Sequence, residues 1–524
     1  MDTKALRQKI LDLAIRGKLV PQDPNDEPAS VLLERIRAEK EQMVKDGKLK
    51  AKDIKNDSVI FLGDDNLHYE KFPDGTVKCI EDEIPFELPE GWECDRLSNI
   101  ASFSGGKTPS TSKDEYWGND YLWITSKDMK SKYLDSSQIS LSEKGAEIMQ
   151  IIPPDTLLLV ARSGILRHTL PVAILKKQAT INQDIKAISL YDVSLVEFIY
   201  SFLKGMESYI LLRYTKSGTT VENINFDEFK NIIIPIPPKS EQIQIIDKIN
   251  MLLSFVDTIE SDKADLQTTI QLTKSKILDL AIKGQLVPQD PNDEPASVLL
   301  DRIRAEKEEL IKQGKIKRDK KESVIFRGDD NSYYETIGSE TINIDDEIPF
   351  DLPDEWEWVR LGVLFSHNTG KALNKKDSTG IKMTYITTSN LYWNRFELDS
   401  LKEMNFNESE IENCTVQKGD LLVCEGGDIG RASIWNYDNK IRIQNHIHKL
   451  RPYSEVSVLL YYYVFYYYKL TDRINGKGIG IQGLSSNQLH NIFLPLPPLN
   501  EQKRIADKVS QLFSLLDSIE ENVN

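Results

Sequence analysis

The sequence of 524 residues predicts a chain of the α+β class, in which two related halves form a pseudo-two-fold cyclic arrangement around an antiparallel pair of long helices. Three observations support this prediction: a long internal repeat, a helix whose copy is split between the two chain ends, and apolar strand patterns such as TLLLV and DLLVC. The composition, 40% hydrophobic and 28% charged, is that of a globular protein with several domains.

The internal repeat is the strongest feature of the sequence. Residues 9–42 reappear at 276–309 with four differences in 34 positions. The likeness continues through SVIFLGDDN and SVIFRGDDN and through DEIPFELPEGWE and DEIPFDLPDEWE, then fades for about 140 residues. It returns as IIIPIPPKSEQ and IFLPLPPLNEQ. Two related units therefore follow one another, each with a variable block between similar flanks.

The chain ends complete the repeat. The tail 499–524 matches 239–264, and Met1 aligns with Thr268, so tail and head together rebuild the central segment. A linear tandem array would not divide one helix in this way, whereas a closed two-fold arrangement would.

The central segment predicts a long helix, because 239–283 follows Pro237 and Pro238 and contains no glycine or proline. Apolar residues at coiled-coil spacing predict that the long helices pair with each other, antiparallel. The alternative is that each stripe lies on the core of its own domain. The predicted helix-pair interface comprises Ile246, Ile249, Leu253 and Val256, with Val509, Phe513 and Leu516 in the tail, where Ala506 continues the spacing.

A second helix is expected after Gly17 and the loop PQDPNDEPAS. We expect Asp26 or Glu27 to cap it, Pro28 to lie in its first turn and Gly47 to end it; the copy ends at Gly314.

The negative charge is concentrated in two segments. The chain has a formal charge of −16, but 53–95 and 319–357 each hold 13 acidic residues against 3 basic ones. Since these segments carry more negative charge than the whole chain, the remainder is slightly basic and a nucleic-acid partner is not excluded. Each acidic segment is either a solvated connector or a docking surface for a basic partner.

Motifs for catalysis, metals and membranes are missing. There is no phosphate-binding loop and no amino-methyltransferase tetrapeptide, and Gly478, Gly480 and Gly483 form only an isolated G-x-G-x-x-G match. The four cysteines lie far apart, and His446 and His448 lack further ligands, so we expect no catalytic residues, no metal site and no disulfides. No apolar segment is long enough to span a membrane, and LLYYYVFYYYKL predicts a packed helix. A reducing cytoplasm is the expected location.

The variable blocks instead contain scattered polar groups suited to DNA. Arginine and lysine bind guanine acceptors or phosphates, and asparagine and glutamine can read adenine. Such groups recur at matching places in both blocks with different residues, as expected of two readers with different targets. The candidate DNA-binding residues are Lys107, Thr108, Ser110, Thr111, Ser126, Lys127, Arg162, Ser163, Asn182, Gln183, Lys216 and Ser217, followed by Lys371, Asn374, Lys375, Thr388, Ser389, Asn390, Arg431, Gln444, Asn445, His446, Lys477 and Gln482.

These features resemble the specificity subunits of type I restriction-modification systems. The resemblance rests on LRQKILDLAIRGKLVPQDPNDEPASVLLERIRAEKE and its copy, the IPF-LP-W entry to each variable block, GGDIGRASIW and PLPPLNEQ, and it covers essentially the whole chain. One departure is ARSGILRHTLPVA, which lacks the Gly-Arg of the second block, so the sequence does not match Arg162 with Arg431.

The resemblance implies two mixed α/β target-recognition domains separated by the antiparallel helix pair. The boundaries expected on this basis are an N-terminal helical region 1–52, an acidic connector 53–95, target-recognition domain 96–238, a central helical region 239–318, an acidic connector 319–357, target-recognition domain 358–498 and a C-terminal helix 499–524.

In function, the resemblance implies a subunit without a catalytic centre. Each target-recognition domain would read one half of a bipartite site in double-stranded DNA, and the helices would set the spacer. The expected partners are two adenine-methylating modification subunits, which carry S-adenosylmethionine, and motor-nuclease restriction subunits, which use ATP. This chain itself would hold no cofactor. Two alternatives remain open: a coiled-coil adaptor without DNA contact and a self-contained DNA-modifying enzyme.

Overall fold

The computed structural model describes residues 2–216, 221–318, 322–373, 379–474 and 483–523. The chain divides into two compact units, unit 1 (Met1–Asp262) and unit 2 (Lys263–Asn524). Each unit contains both helices and sheets. The long helix predicted between the variable blocks is confirmed as α9, Lys239–Ile282, and it contains the boundary between the units.

Unit 1 contains α1 to α8 and the first part of α9. The helices are α1 (Thr3–Ile15), α2 (Ala29–Lys45), α3 (Ala51–Ile54), α4 (Leu97–Ile100), α5 (Glu143–Glu147), α6 (Val196–Gly205), α7 (Glu207–Tyr214) and α8 (Phe226–Phe229). The strands are β1 (Val59–Leu62), β2 (His68–Lys71), β3 (Val77–Cys79), β4 (Glu93–Arg96), β5 (Ala101–Gly105), β6 (Trp117–Gly118), β7 (Tyr121–Ile124), β8 (Tyr133–Leu134), β9 (Ile139–Leu141), β10 (Leu157–Val160), β11 (Val172–Leu175), β12 (Ala179–Ile181), β13 (Ile185–Leu190), β14 (Thr215–Lys216), β15 (Asn223–Ile224) and β16 (Ile233–Ile236).

Unit 2 contains the rest of α9 and the remaining elements. The helices are α10 (Ala296–Lys312), α11 (Leu361–Leu364), α12 (Glu408–Cys414), α13 (Val458–Leu470), α14 (Ser486–His490) and α15 (Leu499–Val523). The strands are β17 (Ser323–Arg327), β18 (Tyr333–Ile337), β19 (Glu340–Asn343), β20 (Glu357–Arg360), β21 (Phe365–Thr369), β22 (Ile381–Ile386), β23 (Leu391–Tyr392), β24 (Arg395–Phe396), β25 (Lys402–Phe406), β26 (Thr415–Val416), β27 (Leu421–Cys424), β28 (Ala432–Ile434), β29 (Ile441–Ile443), β30 (Ile447–Pro452) and β31 (Phe493–Leu496).

The two units share the topology of their main sheets. The order β5-β13-β10-β11 in unit 1 corresponds to β21-β30-β27-β28 in unit 2, and β12-β7-β9 corresponds to β29-β22-β25. The central strands β10 and β27 are buried along their whole length, as their uninterrupted apolar sequences predict. The tyrosine-rich segment forms the packed helix α13, which confirms that prediction.

In unit 1, α1 lies antiparallel to the first part of α9. Arg7, near the start of α1, forms ion pairs with Asp257 and Glu260 late in the unit 1 part of α9. At the other end, Gly17 lies against Trp92, whose indole N–H donates to Glu241 Oε2 at 2.8 Å, at the start of α9.

Unit 2 repeats this arrangement with α15 antiparallel to the last part of α9. Lys274 pairs with Asp517 at 2.5 Å. Gly284 lies against Trp356, whose indole N–H donates to Glu501 Oε2 at 3.0 Å, near the start of α15. An antiparallel helix pair therefore occurs within each unit.

The predicted helix-pair residues lie in the cores that include these helices. Ile246, Ile249, Leu253 and Val256 belong to one cluster with Ile10 and Ala14 of α1, and Val509, Phe513 and Leu516 belong to the main core of unit 2. Each set thus packs inside its own unit, and direct pairing of the two sets stays a prediction.

The predicted cap of α2 is wrong. Pro28 is the N-cap residue, with no side-chain cap, and the Glu27 carboxylate instead pairs with Arg35 at 2.7 Å. The N–H of Ala29 donates to the carbonyl of Gly91 at 3.0 Å, so a backbone acceptor replaces the expected side chain.

The acidic segments form small folded sheets. In unit 1 the strands β1-β2-β3 are antiparallel, and Arg96 joins this sheet to β4 by donating to both carboxylate oxygens of Glu70, at 3.2 and 2.6 Å. In unit 2 the strands β17-β18-β19 repeat the sheet, and Arg360 donates to both oxygens of Glu335, at 3.0 and 2.7 Å. Burial opposes ionisation of Glu335, but bonds from Arg360 and Ser323 hold its pKa below the ordinary value.

Candidate DNA interface

Two polar loops of unit 1 meet at one edge of a sheet. Strands β7 and β12 run parallel, with Ile124 opposite Ile181, so the segments that follow them emerge side by side. The first segment is the turn 125–128 and the second begins with Asn182 and Gln183. The N–H of Asn182 donates to the carbonyl of Ile124 at 3.0 Å, which joins the two loops.

A third loop of unit 1 lies against the same edge. The N–H of Lys107 donates to the carbonyl of Ile181 at 3.1 Å. A Cβ on Gly106 would overlap that carbonyl oxygen, so this close approach requires glycine. The hydroxyl of Thr108 donates to the side-chain oxygen of Gln183. The structure thus brings together candidates from three separate sequence motifs.

Unit 2 builds the same arrangement. Strands β22 and β29 run parallel, with Ile386 opposite Ile443. The N–H of Lys371 donates to the carbonyl of Ile443 at 3.1 Å, and the N–H of Gln444 donates to the carbonyl of Ile386 at 3.1 Å. Gly370 occupies the place of Gly106, and a Cβ there would overlap the same carbonyl. These shared bonds match Lys107 with Lys371 and Asn182 with Gln444.

The turns after β7 and β22 are held by the same kind of hydrogen bond, from a backbone N–H to a side-chain oxygen three residues later. In unit 1 the N–H of Thr125 donates to the Asp128 carboxylate at 2.8 Å. In unit 2 the N–H of Thr387 donates to the side-chain oxygen of Asn390 at 2.9 Å, and the Asn390 amide donates to the carbonyl of Glu397 at 2.9 Å. Asn390 is buried, so this predicted DNA-binding residue has a structural use in the turn.

The positions that these loops expose differ between the units. The turns match Ser126 with Thr388, both partly exposed, and Lys127 with Ser389, both exposed. The strand-end loops match Gln183, which is exposed, with Asn445, which is partly exposed. The framework is therefore shared, while the side chains offered to a ligand change in charge, length and hydrogen-bonding pattern.

Arg162 and Arg431 occupy different places. In unit 1 the N–H of Ala161 donates to the carbonyl of Asp184 at 2.8 Å, and in unit 2 the N–H of Glu425 donates to the carbonyl of His446 at 2.9 Å. Ala161 therefore matches Glu425, and the next residue, Arg162, matches Gly426. Arg162 is exposed. Arg431 is mostly buried; it donates to the carbonyl of Thr388 at 2.7 Å and lies 4.9 Å from the Tyr392 ring centroid, and so supports the turn.

The matched lysines also differ. Lys107 is exposed, whereas the Lys371 side chain is 8% exposed, pairs with Glu410 at 2.8 Å and donates to the carbonyl of Asn405 at 2.9 Å. Asn182 is buried, and its side-chain oxygen accepts from the N–H of Asp184 at 3.1 Å. The amide of Asn182 and the ammonium of Lys371 therefore serve mainly to hold the loops in place.

The two histidines of the second block have separate environments. His446 is exposed and lies 3.6 Å from Glu425. His448 is fully buried between His367 and the carbonyl of Leu484. Burial and the neighbouring His448 and His490 lower the pKa of His367 to about 4, and burial also lowers the pKa of His448. Within the described ranges no group of three or more His, Cys, Asp or Glu residues could hold a metal ion.

The remaining candidates are more peripheral. Ser110 and Thr111 lie on an exposed loop, and Lys216 is exposed, 4.0 Å from Glu228. The Ser163 hydroxyl caps a short helical turn by accepting from the N–H of Ile165. The candidates Ser217, Asn374, Lys375, Lys477 and Gln482, with Gly478 and Gly480 of the glycine motif, lie outside the described residues.

Several residues that shape these loops are missing from the sequence-based set. They are Gly106 and Gly370, which permit the close approach, Asp128, which holds its turn, and Asp184, which corresponds to His446. An alignment of the two variable blocks could have matched the glycines and turns. Spatial closeness of loops distant in sequence could not be found that way.

The fold defines a class of protein in which two related α+β units each carry a matched cluster of polar loops. A model of the family described as type I restriction modification DNA specificity domain matches residues 89–268 and again 353–524. Because the two matches together cover more than half of the chain, the chain belongs to this family.

Named relatives and a solved structure agree with this assignment. The chain is 29% identical to the type I restriction enzyme EcoAI specificity subunit of Escherichia coli and 27% identical to the EcoEI specificity subunit of the same organism, in each case over 98% of this chain and 90% of the relative. One solved structure is described as "Structural basis underlying complex assembly and conformational transition of the type I R-M system". Its chain matches this one with a TM-score of 0.56 at 17% identity, and the match covers 84% of this chain and 94% of that chain. The last likeness supports the fold. In the described part of the chain, no helix is both long and apolar enough to cross a bilayer.

Proposed function

We propose that the chain is the non-catalytic DNA-specificity subunit of a type I restriction-modification complex, in which each unit reads one half of a bipartite site in double-stranded DNA. The observation that carries this proposal is the pair of matched loop clusters. Both units keep the buried framework, yet they expose Lys127 and Gln183 in one cluster and Ser389 and Asn445 in the other. Lysine can contact guanine or phosphate, and glutamine and asparagine can read adenine.

The partners follow from the same assignment. Two modification subunits, which methylate adenine with S-adenosylmethionine, would bind two equivalent surfaces, and ATP-dependent motor-nuclease subunits would complete the complex in the cytoplasm. The segment 20–28, which precedes α2, supports two equivalent docking sites, since it is identical to 287–295 although both copies are largely exposed. Neither an adaptor without DNA contact nor a stand-alone modifying enzyme is favoured by family membership.

An exchange of target-recognition domains tests the proposal. Residues 96–238 would be replaced by the corresponding block of a relative, and the assembled complex would be used to methylate host DNA. Single-molecule sequencing should show one altered half-site and one unchanged half-site. Adenine methylation at an unaltered bipartite sequence would contradict the proposal.

A separate experiment tests the role of the helices as a spacer ruler. Insertion of about one helical turn, roughly four residues, near Ser261 in α9 should change the length of the unspecified spacer. Both half-sites should stay as they are, because no recognition loop is altered. A changed half-site with an unchanged spacer would contradict the ruler.

A further inference from the structure

Each small acidic sheet has an exposed face with an aromatic pair at its centre. In unit 1, Phe61 on β1 lies opposite Tyr69 on β2, and Val59 shares their side of the sheet because side chains alternate along a strand. Ile60 and Glu70 point to the other side and are buried. We call Val59, Phe61 and Tyr69 the outer face of unit 1.

Unit 2 carries the same outer face, formed by Val324, Phe326 and Tyr334. Phe326 lies opposite Tyr334. The stacked rings have centroids 5.9 Å apart in both units, with interplanar angles of 26° in unit 1 and 24° in unit 2. Val59 and Phe61 are each 39% exposed, and their counterparts are 38% and 40% exposed. Residue types, geometry and exposure are therefore all kept.

Neighbouring positions of the same sheets do change. Leu62 is replaced by Arg327, and Lys71 and Val77, which lie on the same side of the sheet as Val59, are replaced by Thr336 and Thr341. Surface positions usually tolerate substitution with little effect on stability. A cross-strand aromatic pair adds modestly to sheet stability, but that contribution does not require an exposed valine beside it. Retention of all three side chains in both units therefore indicates a shared use.

The charge around the outer face indicates the kind of partner. The turn beside it is GDDN in both units, and the tyrosine hydroxyls donate to Asp65 at 2.7 Å and to Asp330 at 2.9 Å. Each segment holds 13 acidic against 3 basic residues, so its field repels DNA and attracts a basic protein surface. An aromatic and aliphatic centre with a charged rim is typical of protein interfaces.

The sheets are held firmly enough to present this face. Arg96 and Arg360 attach the buried side of each sheet to β4 and β20 through both oxygens of a buried glutamate. Bidentate pairs of this kind fix orientation as well as distance. Each outer face is thus a fixed feature of its unit.

We propose that the outer face of each small sheet is a docking site for the same basic, apolar surface of a partner protein, so that one copy of that partner binds each unit. The inference rests on the proposed function, which supplies a partner present in two copies, the modification subunit. It adds a contact beyond the segment 20–28 and its copy, and the chemistry that the partner must offer there.

Variants of one face at a time test the inference within the assembled complex. Val59→Thr with Phe61→Thr alters unit 1, and Val324→Thr with Phe326→Thr alters unit 2; threonine keeps the strand preference of these positions. Each variant would be co-expressed with the modification subunit of its own restriction-modification system and weighed by native mass spectrometry. Wild type should carry two modification subunits, each single-face variant one, and the combined variant none.

Controls separate docking from folding. Leu212→Gln removes an apolar side chain that is 87% exposed and belongs to neither outer face, so this variant should still carry two subunits. Circular dichroism melting should give the same midpoint for the face variants and the wild type, within a few degrees. Two bound subunits in the combined variant would overturn the inference while leaving the proposed function intact. If the wild type bound no modification subunit, the docking part of the proposed function would fall as well.

Discussion

In unit 1 the turn after β7 exposes Lys127 and the strand-end loop exposes Gln183, whereas the matched positions in unit 2 are Ser389 and Asn445. The backbone bonds that hold these loops are the same in both units. Duplication has therefore kept the parts of each loop that set its shape and has changed the parts that can touch a ligand. A reader can in this way acquire a new target without a new fold.

The strands that precede or follow these loops differ as well. His367 and His448 contact each other in unit 2, at places where unit 1 has Phe103 and Lys186 on the corresponding strands. Phe103 packs on Phe226 with centroids 5.4 Å apart. The two units should therefore respond alike when shared contacts are removed and differently when pH is changed.

Removal of Arg96 or Arg360, which hold the small sheets through bidentate pairs with Glu70 and Glu335, should have the largest effect on stability. Arg96→Met and Arg360→Met each leave a glutamate that is at most 4% exposed without its bidentate partner. Loss of one partner of a buried ion pair costs about 3–5 kcal/mol. Amide hydrogen exchange should accelerate in the small sheet of the altered unit and remain slow in the other.

The equivalent lysine substitutions serve as the control for this prediction. Arg96→Lys keeps the positive charge but loses the bidentate hydrogen bonds to Glu70, so its loss of stability should be intermediate. Unchanged protection of β1 to β3 from hydrogen exchange in Arg96→Met would contradict the proposed role of Arg96.

Loss of the hydrogen bonds from Trp92 and Trp356 should have the next largest effect on stability. Trp92→Phe and Trp356→Phe remove the indole donors to Glu241 and Glu501, whose other carboxylate oxygens have no hydrogen-bond partner in the described structure. A buried acceptor left unsatisfied costs about 1–3 kcal/mol. The urea midpoint of unfolding should fall by a similar amount in both variants.

The response to pH should distinguish the units. The folded-state pKa of His367, about 4, lies below its ordinary value of 6.5, so protonation favours the unfolded chain. Above pH 6.5 this histidine is neutral in both the folded and the unfolded chain and does not lower the free energy of unfolding. As the pH falls from 6.5 to 4, the unfolded chain binds the proton first, and the free energy of unfolding decreases. Protection factors for amide hydrogen exchange, measured against the intrinsic rate at each pH, should therefore fall over this window more in β21 and β30 than in β5 and β13. The exposed His446, changed to Gln, should not alter the effect.

Sequence patterns were sufficient for the long helix, the buried strands and the repeated helix pairs. They depend on local periodicity and on a repeat that the chain itself displays. The cap of α2 was wrong because its acceptor, the Gly91 carbonyl, lies far away in sequence. The small sheets within the acidic segments were missed, since charge and short strands masked a fold that depends on Arg96 and Arg360.

The site was predictable in part. Polar residues after apolar strands indicated the correct loops, and the structure joins Lys107, Thr108 and Gln183 as neighbours. Residue type alone could not show that Asn390 and Lys371 are occupied by internal bonds. Such bonds depend on tertiary neighbours that a single sequence does not reveal.

The most direct test of the account transfers exposed loop residues between the units. Ser126→Thr, Lys127→Ser and Gln183→Asn give unit 1 the side chains of unit 2 at matched positions while leaving the backbone hydrogen bonds between the loops unchanged. Methylated adenines would be mapped by single-molecule sequencing of host DNA that carries the assembled complex. The account predicts that the half-site read by unit 1 changes at one or more bases while the other half-site and the spacer stay the same. An unchanged pair of half-sites, or a change in both, would contradict it.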